Sequence, residues 1–146
     1  MNQPAHTYLG FDFGTRKIGV AVGQTITGTA SPLPEIKCHK GKPDWQLIEK
    51  LCAVWKPDGF VVGLPYNMDG SESEMSRRAR KFVNQLQGRI NLPCYTVDER
   101  LSSREAREIS RNSAKLRGVK YDQMQQVDSL AAQLILESWM SLQPPL

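Results

Sequence analysis

Residues Thr7–Gly23 read TYLGFDFGTRKIGVAVG, and the fold follows from how this stretch is divided. Its Val, Ile and aromatic residues, broken by a glycine-bearing turn, predict a hairpin of two strands, Tyr8–Phe13 and Ile18–Val22, joined by GTRK. One residue does not fit that pattern. Asp12 stands between Phe11 and Phe13, and a carboxylate is costly to bury unless something pairs with it. Side chains alternate along a strand, so Leu9, Phe11 and Phe13 share one face, and Asp12 shares the other with Tyr8 and Gly10. With no side chain at Gly10, Asp12 is expected to open into a cleft. The alternative is a strand-end Asp that caps the following turn.

Outward from the hairpin, a third strand is expected within Thr25–Ile36. PDWQLIEKLCAVW begins a helix, with Asp44 as N-cap and Ile48, Leu51, Cys52 and Trp55 on one apolar face. GFVVG is a short buried strand, followed by the turn-rich LPYNMDG. SESEMSRRARKFVNQLQG reads as a helix, with Ser71 and Glu74 spaced as a capping box and Gly88 at its end. PCYTVD is a strand. SSREAREISRN is a helix that Ser102 and Glu105 would open, and QMQQVDSLAAQLILESW is a last helix with Asp122 and Gln125 as candidate caps. The order β-β-β-α-β-α-β-α-α predicts an α/β layer architecture with a mixed sheet. Both later strands follow helices and are expected to lie parallel through right-handed crossovers. No repeat, low-complexity run or linker divides the 146 residues, so residues 1–146 are expected to form one domain.

Composition narrows the function classes. No apolar run approaches the roughly 20 residues that span a bilayer, and MNQPAHT lacks the basic and apolar regions of a secretory signal. Cys38, Cys52 and Cys94 have no metal-like spacing and read as free thiols of a reducing compartment. Charge is unevenly spread. Residues 76–120 hold 12 Lys/Arg against 4 Asp/Glu, while the chain as a whole carries a net +4. The excess therefore lies entirely in the middle third. Such a concentration suggests a polyanionic partner, most often nucleic acid; a solvated surface is the plainer explanation.

Two further acids stand at element ends. In YTVDERLSS, Asp98 and Glu99 project to opposite faces if the strand extends that far, so only one can readily meet Asp12. In VDSLAAQLILESW, Asp128 lies beside a stripe of Met124, Val127, Ala131, Leu134 and Ile135, and the alanines permit close approach to the sheet. Each acid alone could serve a turn or a helix dipole. Three carboxylates meeting in one cleft would repel one another unless cations intervene. Mg²⁺ prefers oxygen ligands and bridges to phosphates. Two such ions about 4 Å apart activate water and stabilise the leaving oxygen in phosphodiester hydrolysis. Arg104, Arg107 and Arg111 fall on one helical face just after Glu99, and Arg77 and Lys81 form a second such pair. Asn67 and Gly70 lie beyond a strand's carboxyl end, where α/β sheets place ligands, so NMDG is expected to border the site; a plain turn is the alternative.

LGFDFGTRKIGVAVG, ITGTASPLP, VVGLPYNMDG, RARKF, DERLSS and VDSLAAQLILES together resemble the YqgF (RuvX) family of the ribonuclease H-like superfamily, over nearly the whole chain. The resemblance implies an α/β ribonuclease H-like fold, a mixed five-stranded sheet flanked by helices. It implies a metal-dependent nuclease whose acidic positions match Asp12, Glu99 and Asp128, with Mg²⁺ or Mn²⁺ as cofactor. Substrate contacts are expected from Gly14, Thr15, Arg16 and Lys17 of the first turn, from Asn67 and Gly70, and from Arg100, Arg104, Arg107 and Arg111. The family implies a cytoplasmic protein that matures the 5′ end of small-subunit ribosomal RNA, or one that resolves Holliday junctions. The chain departs from the family pattern at Ser102, where Thr is common, and at QMQQVD, which lacks the basic residue many members carry there. Lys115, Arg117 and Lys120 lie upstream instead.

Two readings of other classes compete. DFGT followed by KIGVAVG also resembles the phosphate hairpin of actin-like and sugar-kinase ATPases, whose backbone amides grip phosphate. Those proteins need two such domains around one nucleotide, and no second hairpin is visible here. The protein-kinase use of DFG lacks its Gly-rich loop and HRD motif. A nucleic-acid-binding protein that keeps the acids only for stability is the other competitor.

Overall fold

The opening hairpin forms as its alternation predicts. β1 (Thr7–Asp12) and β2 (Lys17–Gln24) pair antiparallel, with Asp12 directly opposite Gly19. This is a computed structural model that describes residues 6–67, 69–99 and 127–142, and only the backbone at 127 and 128. β3 (Thr29–His39) pairs antiparallel with β2. It lies further along than expected because the chain first turns, Gly28 N donating to Gln24 O at 3.0 Å. Within β3 the register slips: Ile18 faces Ile36 but Val20 faces Leu33. The extra residue falls at Pro34 and Glu35, a bulge that accommodates a proline without an N–H to donate.

The backbone then reverses at Lys40 and Gly41, both with positive φ, into the two-residue β4 (Lys42–Pro43). β5 (Gly59–Leu64) joins β1 in parallel, and β6 (Cys94–Asp98) joins β5 in parallel. The order is β4-β3-β2-β1-β5-β6. The sheet is mixed, as expected, but has six strands rather than five. The added one is the short edge β4, which a sequence of two residues cannot announce.

α1 (Trp45–Trp55) starts at Asp44, whose Oδ1 accepts from Leu47 N at 3.2 Å, as its N-cap role predicts. Ile48 is buried, Leu51 and Cys52 half-buried, and Trp55 exposed, so the expected apolar face loses its last member at the helix end. α2 (Glu74–Ile90) corrects two expectations. Its N-cap is Ser73, whose Oγ accepts from Ser76 N at 2.9 Å, whereas Ser71 Oγ donates to Asp69 Oδ1 at 2.6 Å inside the preceding turn. Gly88 lies within the helix with open space around it, and the end comes at the left-handed Asn91.

α1 and α2 cover one face of the sheet around Leu9, Phe11, Ile18, Phe60 and Phe82. Full burial of each such side chain contributes about 1.5–3 kcal/mol. α3 (Val127–Leu142) covers the other face through Ala131, Ala132, Ile135, Leu136 and Trp139. Leu134, expected in that stripe, is only half-buried, because the helix is rotated to bring Ala132 and Leu136 onto the strands. The helix expected over SSREAREISRN, the caps Asp122 and Gln125, and Met124 lie outside the described residues.

Candidate active site

Asp12 closes β1 on the face that α3 covers. Leu9 and Phe11 enter the core beneath α1 and α2, with Phe13 packed against it; Tyr8 and Gly10 meet α3. The alternation is as expected, but the space is not where Gly10 was thought to leave it. A Cβ at Gly10 would stand 2.8 Å from Leu136 Cβ and 3.1 Å from Ala132 O, so α3 occupies that room. Asp12 instead borders a hollow of about 300 Å³ at the end of the sheet, together with Gly14–Lys17, Gly19 and Met75 of α2.

Glu99 follows β6 directly, and its N–H donates to Leu64 O at 3.1 Å, one further rung of the parallel ladder. Val97 packs with α3, so alternation sends Asp98 to the opposite face. The Glu99 side chain turns back across β5: its Oε1 and Cγ lie 2.8 and 2.9 Å from where a Cβ at Gly63 would be, beside Ile135 Cδ1 at 2.6 Å. Glu99 therefore lies on the α3 face, as Asp12 does. Phe11 pairs with Val62 and Val62 with Thr96, so Asp12 ends the strand on one side of Gly63, and Glu99 follows the strand on the other. Adjacent strands are about 4.8 Å apart. A side chain at position 63 would fill the ground between the two carboxylates.

The backbone of Asp128 lies in the first turn of α3; its side chain falls outside the described residues. The next residue, Ser129, is fully buried and fixes this helix end to the sheet. Its Oγ donates to Leu33 O at 2.6 Å and accepts from Val20 N at 3.4 Å. Both partners flank the bulge, where the β2–β3 ladder leaves backbone groups over. Sequence reasoning did not single out Ser129, Gly19 or Gly63. The signal available was a buried-face Ser after Asp in VDSLAA and a Gly in each strand beside Asp12.

The first turn is held by β3. Cys38 N donates to Arg16 O at 2.8 Å, and Cys38 Sγ lies 3.7 Å from Gly14 O. A Cβ at Gly14 would come 2.5 Å from Lys17 O, so only glycine fits. Lys17 Nζ lies 3.8 Å from Glu35 Oε2, Arg16 is exposed, and Thr15 is half-buried at the rim. In the NMDG loop, Asn67 Nδ2 donates to Ser71 Oγ at 3.0 Å, and Asn67 N and O bond Ser71 and Gly70. These bonds are what a plain turn requires. Arg100, Arg104, Arg107 and Arg111 lie outside the described residues.

Carboxylate oxygens alone suit a hard cation such as Mg²⁺ rather than a thiolate-loving metal. Among the described residues no three His, Cys, Asp or Glu gather around one point. Asp12 and Glu99 supply two donors on one face, and the third expected acid is described by its backbone alone.

A mixed sheet with acids at the ends of neighbouring strands and helices on both faces is a ribonuclease H-like fold. RuvC of Thermus thermophilus in complex with a Holliday junction superposes with a TM-score of 0.56 at 16% identity, covering 97% of this chain and 99% of that one. The fowlpox virus Holliday junction resolvase gives 0.54 at 14% identity, covering 92% and 98%. The chain belongs to the RuvX family, described as Holliday junction resolvase, whose match spans residues 6–142. A Pseudomonas putida relative, named as a candidate pre-16S rRNA nuclease, is 53% identical over 132 residues, 90% of this chain and 92% of its own. An Actinobacillus pleuropneumoniae relative of the same name is 50% identical over 139 residues, covering 95% and 99%.

Proposed function

We propose that this chain, acting as one domain, is a divalent-metal-dependent nuclease that processes the 5′ end of precursor small-subunit ribosomal RNA in the cytoplasm. The observation that carries the reading is the placement of Asp12 and Glu99 on one face, on either side of a glycine strand position. The names of the relatives support the substrate. Asp12, Glu99 and Asp128 would hold Mg²⁺, with Mn²⁺ as substitute, which supplies Lewis-acid stabilisation at the phosphate and a more acidic water. The protein's own part is to fix these carboxylates. Glu99 is positioned by the Leu64 ladder bond, and the helix start at Asp128 by the bond from Ser129 to Leu33. The Gly14–Lys17 turn, tied to Cys38, borders the same hollow and would meet the phosphate backbone with Arg16 and Lys17. Among the described residues no helix is long and apolar enough to cross a membrane.

Asp12→Asn should lower Mg²⁺-dependent cleavage of a precursor 16S rRNA fragment by about 10³-fold, the several kcal/mol a metal contributes. Undiminished cleavage would sink the mechanism. The family description favours a second substrate, four-way DNA. Cutting of junction DNA but not precursor RNA by the unaltered chain would replace the first reading with that one.

A further inference from the structure

Beside the Asp12 hollow, on the α1/α2 side of the sheet, lies a second groove of about 730 Å³. Phe13 and Thr15 line both. The groove is strongly basic. Lys40 and Lys42 enter from the β3–β4 turn, and Arg78, Lys81 and Arg89 from α2. No carboxylate is among its lining residues. The α2 residues, with Gln85 between them, follow helical spacing and form one stripe along the helix. Five like charges around one hollow repel one another unless an anion enters. Arg78 alone has a recorded partner there, exposed Glu74 at 3.1 Å.

Two details point to a nucleic-acid occupant rather than an idle surface. Lys40 takes φ 52° in a two-residue hairpin turn, a position that favours Asn or Gly and costs another residue about 1–2 kcal/mol. Such strain persists most often at functional positions. The Arg89 guanidinium lies 4.6 Å over the Trp45 ring. A planar guanidinium held flat on an aromatic ring is a platform on which an unpaired base stacks.

We infer that this groove binds a single-stranded segment of the nucleic-acid substrate, with Lys40, Lys42 and Lys81 on its phosphates and Arg89 stacked against a base. The cationic stripe from Arg78 to Arg89 is about 16 Å long at 1.5 Å per residue, more than a mononucleotide can span. A strand with a phosphate at Asp12 passes Thr15 directly into it. The inference rests on the nuclease reading only for that direction of travel.

The test measures fluorescence anisotropy of a labelled 12-nucleotide RNA with the full chain carrying Asp12→Asn, so that binding is read without cleavage. Adding K81E/R89E should weaken binding at least 10-fold and reduce the log–log salt slope by about 1.4, or roughly 0.7 per lost phosphate contact. R89K keeps the charge and loses the plane, so affinity should fall about 5-fold or more with the slope kept. K40Q/K42Q, on a different element, should weaken binding in the same direction. Unchanged affinity in K81E/R89E and K40Q/K42Q, both with unaltered thermal midpoints, would overturn the inference. So would cytidine monophosphate competing as tightly as the 12-mer, or blunt duplex RNA losing as much affinity in R89K as single strands. Full cleavage by Asp12→Asn alongside weakened binding by K81E/R89E would keep the groove and remove the nuclease site.

Discussion

Gly10 and Gly63 face α3 from neighbouring strands, yet the same added methyl meets different neighbours. At Gly10 it meets the Leu136 Cβ and the Ala132 carbonyl, atoms that move only if α3 moves. Gly10→Ala should therefore destabilise the protein by about 1–3 kcal/mol in urea melts. At Gly63 it meets the far ends of Ile135 and Glu99, which can swing away. Gly63→Ala should leave stability nearly unchanged and reduce cleavage at least 10-fold, because the carboxylate that swings is the one proposed to hold metal. Full cleavage activity in folded Gly63→Ala would remove Glu99 from the site. Ser129→Ala leaves Leu33 O and Val20 N at the bulge without their side-chain partner. Its expected cost is about 1–3 kcal/mol, and Ser129→Thr, which keeps the hydroxyl, separates loss of the bond from loss of volume.

At the scale of elements, α1 shows how much local chemistry decides. Asp44 starts it by accepting from Leu47 N, and it ends at Lys56, left-handed with φ 48° and its N–H on Cys52 O at 2.8 Å. Asp44→Ala should lower stability by about 1 kcal/mol, while Lys56→Gly should raise it by up to about 1 kcal/mol by relieving the left-handed strain. Both are read as shifts of the urea midpoint. The α1 boundaries were legible because an N-cap acts within four residues. The α2 start was misplaced by two because two serines offered the same cap. The choice went to Ser73 once Asp69 and Asn67 had engaged Ser71. The end was misplaced because an exposed helical glycine costs only about 1 kcal/mol and does not force a stop.

For the whole molecule, burial of thiols gives stability a pH dependence. Desolvation pushes Cys94 up to about 12 and moves Cys38 and Cys52 upward as well. Tyr8 is raised too, chiefly by its own burial and secondarily by Tyr95 and Asp58. The folded chain holds these protons to higher pH than the unfolded chain does. Stability is therefore complete below the unfolded thiol value of 9.0 and falls as pH rises towards about 12. The thermal midpoint should be flat near neutrality and drop above about pH 9. Cys94→Ala should make that drop shallower; an equally steep fall in the variant would assign it elsewhere.

The sequence by itself determined the hairpin, the alternation that separates Asp12 from its phenylalanine neighbours, the order of strands and helices, and the Asp44 cap. All of these depend on residues within one or two turns of chain. Tertiary structure alone decided what surrounds Asp12. Whether Gly10 or Gly63 lies open depends on where α3 settles, and that helix is more than 110 residues away along the chain. Glu99 lies on the face of Asp12 because β6 ends at Asp98 and the chain turns back over Gly63, a consequence of parallel register. The basic groove joins β4, α1 and α2, elements whose cations are scattered from Lys40 to Arg89 in sequence. Local preference fixes which face a residue takes, and packing fixes what that face meets.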